Sequence, residues 1–308
     1  MTERASDPPD ELVAGRLGPP PGAAPSGNAT GLTLVATPIG NLGDLSPRAL
    51  TALREADAVL CEDSRVTGAM LSRHGVSVTL IPLHEHNEDA QIPRVLARLA
   101  AGERVALVSD AGTPLVSDPG YRLVRAAIAA GLKVTAVPGP NAAVMALTLS
   151  GLPPHPFLFH GFLPAKAAAR AAEIGRLRAA ERAGLRAALI FYEAPHRLAE
   201  MLAALAEGLG ADRPAAVARE LTKRFEEVRR GSLAELAGWY GREAARGEVV
   251  VVVGPAAEEA APEEELEARL RAALEAGMSV RDAAATVAEA TGLPRKQVYA
   301  RALEMGKG

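Results

Sequence analysis

The residues best suited to chemistry in this sequence follow directly after short apolar runs. They are Glu62, Asp63, Arg65, His84, His86, Asp110 and Asn141. A carboxylate in such a position can act as a general base toward a hydroxyl group, and an arginine can hold a phosphate. Each residue also has a structural interpretation, since an Asp or Asn after a strand commonly caps the next helix. Their common placement, rather than any one of them, favours a binding or catalytic site.

The stretch 105–120 is central to this interpretation. It begins with the apolar run Val105–Val108, typical of a buried parallel strand, and continues into a glycine-rich loop that contains Gly112. Gly112 has no Cβ, so the backbone there can approach a ligand closely. Further on, the pattern predicts that Asp118 caps a helix whose first residue is Pro119. A pair of tight turns without a ligand would account for the same residues.

Apolar runs alternate with helix-like segments in the first half of the chain, which predicts a parallel sheet with helices on both faces. The predicted strands are Leu32–Ala36, Ala58–Cys61, Val78–Ile81, Val105–Val108 and Lys133–Val137. The carboxyl ends of such strands lie at one edge, where open α/β sheets bind ligands. The second half predicts a mixed sheet, with strands at Phe157–Phe162, Ala187–Tyr192, Ala215–Arg219, Phe225–Arg230 and Glu248–Val253. The predicted fold class is therefore α/β.

Composition narrows the class of protein. The chain has 308 residues and a net charge of −3, so a nucleic-acid partner would be met by local basic patches rather than by a global positive field. The single cysteine, Cys61, excludes an intramolecular disulfide framework and indicates a reducing compartment. The sequence has neither an apolar run of about 20 residues nor a secretory signal, so we expect a cytoplasmic protein with no membrane partner.

The common nucleotide and metal motifs are absent from the sequence. The first predicted strand is followed by T-P-I-G-N-L-G rather than by the dinucleotide-binding G-x-G-x-x-G, and G-x-x-x-x-G-K-[ST] does not occur. His84 and His86 lie two residues apart with no cysteine pair nearby, so no metal ion is predicted. The residues alone therefore predict a small-molecule site of unnamed chemistry.

Changes in composition predict five segments. The proline-rich composition of residues 1–30 predicts a disordered tail. Two α/β domains are predicted after it, at 31–152 and 153–255, separated by a second proline-rich stretch. Residues 256–267 predict an acidic linker. Residues 268–308 predict a small helical domain of the helix-turn-helix type, although a plain helical hairpin has the same spacing.

Two basic segments are candidates for contact with nucleic acid. Residues 164–186 hold six basic and two acidic residues, and they include Lys166 and Arg170. A solvated amphipathic helix explains this segment equally well. In the last helix, Arg295, Lys296 and Arg301 are expected to contact phosphates.

Three motifs carry a resemblance to a known family: S-D-A-G-T-P at 109–114, F-Y-E-A-P-H-R at 191–197 and A-R-E-L-T-K at 218–223. Over roughly Leu32 to Pro255 the chain resembles the bacterial 16S ribosomal RNA cytidine 2′-O-methyltransferases of the tetrapyrrole methylase superfamily. The resemblance implies two α/β domains of the tetrapyrrole methylase type with a cofactor cleft between them. It also implies S-adenosyl-L-methionine as cofactor, a homodimer, and 16S rRNA of the small ribosomal subunit as partner.

Carried over position by position, the resemblance implies a set of cofactor contacts. They are Pro38, Asp110, Ala111, Gly112, Thr113, Val116, Asn141, Ala142, Tyr192, Glu193 and Gly231. Many members of the superfamily have Gly-Gly-Asp-Pro where this chain has Ala111 to Pro114, which argues against a porphyrinoid substrate.

For a methyl transfer to a ribose hydroxyl, Glu62 and Asp63 are the candidates for the general base, and Arg65 is the candidate for positioning a phosphate. The alternative is that this segment only caps the next helix and forms a local ion pair. Two rival functions stay open. One is a small-molecule methylase of a tetrapyrrole or corrin precursor, and the other is a non-catalytic RNA-binding protein.

Overall fold

The structure is a computed structural model that describes residues 30–257, 263–291 and 293–305. The chain divides into two compact units, the first ending at Ala142 and the second beginning at Ala143. The predicted tail, up to residue 29, and residues 258–262 of the predicted acidic linker lie outside the described residues. The domain bounds predicted at 152, 255 and 267 stay predictions.

The first unit holds the parallel sheet that the sequence predicts. Its strands are β1 (Gly31–Val35), β2 (Ala58–Cys61), β3 (Leu80–Pro82), β4 (Arg104–Leu107) and β5 (Val134–Val137). They are hydrogen-bonded in the order β3-β2-β4-β1-β5, and all the pairings are parallel. The helices of this unit are α1 (Pro47–Arg54), α2 (Ser64–Arg73), α3 (Glu88–Ala100) and α4 (Tyr121–Ala129).

Both faces of the sheet are buried along its inner strands β2 and β4, which explains why these strands are apolar runs. In β2, Val59 packs in the cluster that contains Leu53, whereas Leu60 packs in the cluster that contains Leu123. Burial of each large apolar side chain stabilises the fold by about 1.5–3 kcal/mol. The two clusters therefore hold the strand ends in fixed positions.

The first two helices begin at side-chain caps. Ser46 caps α1 by accepting a hydrogen bond from the Ala49 N–H at 3.1 Å, and Pro47 occupies the first turn, as predicted. The Asp63 carboxylate caps α2 by accepting a hydrogen bond from the Arg65 N–H at 2.8 Å.

The predicted start of α4 is wrong. Asp118 does not cap a helix with Pro119 in its first position; the helix begins at Tyr121, and its N-cap is Gly120 with φ +115°. A Cβ on Gly120 would lie 2.7 Å from Leu107 Cδ2 at the end of β4. Only glycine fits this close approach in this backbone conformation, so the helix starts after it and Asp118 stays in the loop.

The second unit holds a mixed sheet, also as predicted. Its strands are β6 (Phe157–Phe162), β7 (Ala188–Glu193), β8 (Pro214–Arg219), β9 (Glu227–Ser232) and β10 (Val249–Val253), in the order β6-β7-β10-β8-β9. The β6–β7 pairing is parallel and the others are antiparallel. Helices α5 (Ala142–Ser150), α6 (Ala167–Arg182), α7 (Leu198–Leu209) and α8 (Leu233–Arg242) accompany it. The strand predicted at Phe225–Arg230 begins at Glu227 instead, which leaves Phe225 in the turn before it.

Three helices follow at the end of the chain: α9 (Glu263–Glu275), α10 (Val280–Thr291) and α11 (Arg295–Met305). They pack around a buried cluster that includes Leu266, Leu270, Val287 and Val298. The predicted helical domain is therefore confirmed, while the glycine of its predicted turn, Gly292, lies outside the described residues. No helix in the described ranges combines the length and apolar character needed to cross a membrane.

Candidate functional site

The loops that follow β1, β2, β4 and β5 lie at the carboxyl edge of the first unit's sheet, because these strands are parallel. An isolated β-bridge joins the first and third of them. The Thr37 N–H donates to the Gly112 carbonyl at 2.9 Å, and the Gly112 N–H donates to the Thr37 carbonyl at 3.1 Å. The Thr37 hydroxyl donates to the Ser109 carbonyl at 3.1 Å. Pro38, a predicted cofactor contact, is buried beside this bridge.

A second set of hydrogen bonds joins the loop after β4 to the loop after β5. The Thr113 hydroxyl donates to the Pro140 carbonyl at 3.0 Å and accepts from the Asn141 side-chain amide at 3.2 Å. Gly112 has φ +85°, and a Cβ there would lie 3.2 Å from Ile39 Cγ2. The structure thus places seven of the predicted cofactor residues in or directly beside these two loops: Asp110, Ala111, Gly112, Thr113, Val116, Asn141 and Ala142.

Glu62 and Asp118 share an acidic environment with Asp110. The Asp63 N–H donates to Asp110 Oδ1 at 3.1 Å, which ties the loop after β2 to the loop after β4. Burial and the charge of Asp110 raise the pKa of Glu62, with His84 opposing the rise. Burial and the charges of Glu62 and Asp110 raise the pKa of Asp118 to about 6. Within the described residues, no Lys or Arg forms an ion pair with Glu62, Asp110 or Asp118.

Asp63 is in a different state from its neighbour Glu62. Its carboxylate accepts from the Arg65 backbone N–H at 2.8 Å and from the Arg65 guanidinium at 2.6 Å. These hydrogen bonds lower the pKa of Asp63 to about 2, so its carboxylate binds a proton weakly. The capping and ion-pair alternative is thus the one that Asp63 adopts, while the Arg65 side chain itself remains 89% exposed.

Two predicted contacts of the second unit lie at the end of β7. The Glu193 carboxylate is buried; it accepts from the Ala194 N–H at 2.8 Å and pairs with Arg197 at 3.2 Å. The Tyr192 ring lies edge-on to Phe159, with the ring centroids 4.9 Å apart. Glu193 is therefore already engaged within the protein, and its pairing fixes the end of this strand.

Gly231, the third predicted contact of the second unit, lies at the other end of the sheet. It is paired with Ala215 in β8, and Ala215 is paired with Val253 in β10. Glu193 is paired instead with Val249, at the opposite end of β10. The structure therefore does not bring Gly231 next to Glu193.

The predicted RNA-contact residues of α6 divide into two kinds. Lys166 is exposed immediately before the helix, whereas Arg170 is only 6% exposed. The Arg170 guanidinium donates to the Ala165 carbonyl at 3.2 Å and to the Glu200 carboxylate at 3.3 Å. Arg170 therefore belongs to the packing of α6 rather than to an exposed basic surface.

The basic residues of α11 divide in the same way. Arg295 and Lys296 are exposed at its first turn. Arg301 is half-buried and pairs with Glu267 of α9 and with Glu304, the latter at 2.8 Å. The structure therefore assigns Arg301 a part in joining α11 to α9.

Sequence reasoning missed three residues that build the sheet edge of the first unit. Thr37 and Ser109 supply hydrogen bonds between loops, and Asp118 was assigned only to a helix cap. The signal for the first two was a hydroxyl residue directly after an apolar run, which ordinary helix caps share. Among the described residues, no group of three His, Cys, Asp or Glu side chains is arranged to hold a metal ion.

Two family models match this chain. The model described as Tetrapyrrole (Corrin/Porphyrin) Methylases matches residues 31–237, which is more than half of the chain. The model described as RsmI C-terminal HTH domain matches residues 260–306.

Curated relatives match along most of the chain. The Ribosomal RNA small subunit methyltransferase I of Mesorhizobium japonicum is 49% identical over 275 residues, covering 89% of this chain and 92% of the relative. The protein of the same name from Xylella fastidiosa strain Temecula1 is 49% identical, covering 87% of this chain and 97% of the relative. That from Escherichia coli O157:H7 is 42% identical, covering 89% and 94%.

Solved structures share the fold. The methyltransferase CobJ matches with a TM-score of 0.54 at 25% identity, covering 74% of this chain and 95% of its own. A uroporphyrin-III C-methyltransferase from Thermus thermophilus, complexed with S-adenyl homocysteine, matches with a TM-score of 0.50 at 22% identity, covering 72% and 96%. At that identity the second match shows the fold alone.

Proposed function

This chain belongs to the tetrapyrrole (corrin/porphyrin) methylase family, and from that premise we propose that it is an S-adenosyl-L-methionine-dependent methyltransferase of 16S ribosomal RNA. The proposed acceptor is the ribose 2′-oxygen of cytidine 1402. The proposal is supported mainly by the arrangement of loops and carboxylates at the carboxyl edge of the first unit's sheet. There, hydrogen-bonded loops surround Gly112, and no Lys or Arg of the described residues forms an ion pair with the carboxylates of Glu62 and Asp110.

The residues at this edge fit the proposed cofactor. The cofactor carries a positive sulfonium and a positive ammonium group, and the exposed Glu62 and the half-buried Asp110 offer carboxylates that a ligand can reach. Gly112, with φ +85°, presents bare backbone to a ligand. The other residues proposed to hold the cofactor are Pro38, Ala111, Thr113, Val116, Asn141 and Ala142, with Tyr192, Glu193 and Gly231 as proposed contacts from the second unit.

When bound, the cofactor supplies an electrophilic methyl group. The chain's own part is first to position the ribose, since near-attack geometry can account for about 7–11 kcal/mol of the barrier. Its second part is to remove the proton of the 2′-hydroxyl as the oxygen gains the methyl group. We assign this to a Glu62 carboxylate oxygen, because its raised pKa makes it a stronger base than Asp63, whose proton affinity Arg65 lowers.

Contact with the RNA is proposed for three exposed cations. Lys166 precedes α6, and Arg295 and Lys296 open α11, within the part of the chain that matches the helix-turn-helix model. Phosphate is the natural partner of such side chains, which would make the contribution independent of base sequence and dependent on salt. Arg65, near the base candidates, would hold a phosphate beside the acceptor ribose. We also propose that the protein is a cytoplasmic homodimer, and its buried free thiol, Cys61, suits a reducing compartment.

The test is transfer of a labelled methyl group from S-adenosylmethionine to three acceptors. They are small ribosomal subunits that lack the modification, free 16S RNA, and uroporphyrinogen. We expect label in the ribosomal RNA, with alkaline hydrolysis blocked at a single nucleotide, because 2′-O-methylation removes the attacking hydroxyl. Transfer to uroporphyrinogen alone would establish the small-molecule alternative. Binding to the subunit without transfer to any acceptor would establish a non-catalytic RNA-binding protein.

A further inference from the structure

The turn between β8 and β9 holds an unusual backbone. Glu220 has φ +52° and Thr222 has φ +66°, and neither is a glycine. A left-handed conformation costs a non-glycine residue of the order of 1 kcal/mol or more, and such residues cluster at functional sites. The turn therefore holds strain that a plain hairpin connection does not need.

Ion pairs and hydrogen bonds hold this turn in place. The Lys223 ammonium lies 2.9 Å from Glu220 Oε1 and 2.9 Å from Glu248 Oε2. The Glu248 N–H donates to the same Glu220 oxygen at 3.2 Å, and the Thr222 N–H donates to Glu226 Oε2 at 2.7 Å. The charges of Glu220, Lys223 and Glu248 are therefore used to build the turn rather than to bind a ligand.

What this rigid turn presents is an aromatic ring and one cation. Phe225 is 66% exposed, the most exposed of the large hydrophobic side chains in the described residues. The Arg224 guanidinium carbon lies 5.5 Å from the centroid of that ring. Arg224 is exposed and forms no ion pair with a carboxylate in the described part of the chain. Single exposed apolar side chains are common on protein surfaces, but this ring stands on a strained, braced turn with an exposed cation beside it. Such an arrangement suits a partner that has both a flat apolar face and negative charge.

We propose that Phe225 is a stacking surface for an unpaired base of the ribosomal RNA and that Arg224 contacts the adjoining phosphate. Proteins recognise single-stranded RNA by stacking bases on exposed aromatic rings while cations follow the backbone. The positive charge of Arg224 matches a polyanion and would repel another cationic surface. This inference rests on the proposed function for the identity of the RNA, and it adds a contact that none of the residues named above supplies.

The experiment compares Phe225→Ala, Phe225→Trp and Phe225→Leu for equilibrium binding to small ribosomal subunits that lack the modification. A lost base stack corresponds to a Kd about 5- to 150-fold weaker, so we expect this for Phe225→Ala and Phe225→Leu, with Phe225→Trp close to the wild type. Binding of the cofactor and the kcat at saturating subunit are expected to stay unchanged. Arg224→Gln should make the slope of log affinity against log salt shallower by about 0.7.

Ile128→Ala is the matched control, since Ile128 is 61% exposed but has no ring. It is expected to bind as the wild type does. Equal affinity of Phe225→Ala and wild type, or full retention by Phe225→Leu, would overturn the stacking surface. So would a change in sedimentation of Phe225→Ala, which would mean that a second copy of the chain covers the ring. Binding is measured apart from methyl transfer, so the two proposals can fail separately. Failure of the wild type to transfer a methyl group would reject the proposed function, whereas the affinities of the Phe225 variants for the subunit decide whether Phe225 is a stacking surface.

Discussion

Two loops, one in each unit, hold the non-glycine residues with positive φ found in the described ranges. Leu115 and Ser117 lie in the loop after β4, with φ values of 72° and 69°, and Glu220 and Thr222 lie in the turn after β8. The two loops have similar backbone strain but different electrostatics. The first adjoins carboxylates that form no ion pair with a Lys or Arg of the described ranges. In the second, the carboxylates of Glu220 and Glu248 pair with Lys223, and Arg224 forms no ion pair within those ranges.

This difference shows that two loops of similar backbone conformation can suit ligands of opposite charge, depending on which of their side chains form ion pairs. The acidic edge suits a cationic cofactor and a base that keeps its proton affinity. The braced turn suits an anionic chain with aromatic bases. Substitutions at the acidic edge should therefore impair methyl transfer and cofactor binding, whereas substitutions on the cationic surfaces should impair RNA binding.

Glu62→Gln should produce the largest loss, because it removes the proposed base from the acidic edge. We expect single-turnover methyl transfer to fall about 10²- to 10⁴-fold with cofactor affinity retained. In the wild type the rate should fall as the pH drops through the raised pKa of Glu62, since the base must be ionised to accept a proton.

Asp63→Asn is the matched control for Glu62→Gln, because Asn also caps helices well and only the charge is lost. We expect its rate to stay within about tenfold of the wild type, since the Asp63 carboxylate, with a pKa of about 2, is a weak base. A larger loss in Asp63→Asn than in Glu62→Gln would identify Asp63 as the base instead.

Gly112→Val should weaken cofactor binding about tenfold or more, because a branched side chain would fill the space beside the Gly112 backbone that the ligand is proposed to occupy. It should also destabilise the fold by about 1–3 kcal/mol, since Gly112 has φ +85°. The control is Gly131→Val: Gly131 has φ +70°, but a Cβ there meets nothing within 4 Å. Calorimetry should show similar stability loss in both and weaker cofactor binding in Gly112→Val only. Equal cofactor affinity in the two variants would remove this loop from the site.

Ending the chain at residue 261 tests the cationic surface of α11. The buried cluster of α9, α10 and α11 is formed among these helices, so we expect stability and cofactor affinity to change little. Binding to the ribosomal substrate should weaken, and the double substitution of Arg295 and Lys296 by Gln should make the salt slope shallower by about 1.4. Loss of folding on truncation would place these helices in the core, and an unchanged salt slope would show that they do not touch RNA.

Asp118→Asn should have the smallest effect and tests the acidic edge through stability. The pKa of Asp118 is raised from 3.8 to about 6 on folding, so the folded protein binds the proton more tightly than the unfolded chain. Stability from this group is fully present below about pH 4 and is lost as the pH rises to about 6. The neutral Asn should therefore raise stability by about 1 kcal/mol at pH 8, about 2–4 °C in Tm, and change little at pH 4. If Asp118→Asn changed Tm equally at pH 4 and pH 8, the pKa of Asp118 would not differ between the folded and unfolded protein.

Much of the fold could be predicted because its signals are local. The apolar runs of β2 and β4 are buried on both faces, and the cap at Ser46 is read from two adjacent residues. The start of α4 was wrong because the signal of Asp118 and Pro119 is local, whereas Gly120 is required by its approach to Leu107 in another element. Arg170 is predicted on a surface because its charge is a local signal, whereas its burial and its ion pair with Glu200 of α7 are set by packing between elements.

The sequence by itself determined that strands would alternate with helices and that the polar residues would collect at one sheet edge. Both follow from periodicity and from the geometry of parallel connections, which act over short distances along the chain. Only the tertiary structure decided that the proton affinity of Glu62 is raised. Asp63 and Asp110 are 47 residues apart yet joined at 3.1 Å, and the pKa of Glu62 depends on that meeting. The low proton affinity of Asp63 comes from Arg65, two residues away in the sequence, whereas burial and the charge of Asp110 act on Glu62 through space and are not encoded in the spacing of residues along the chain.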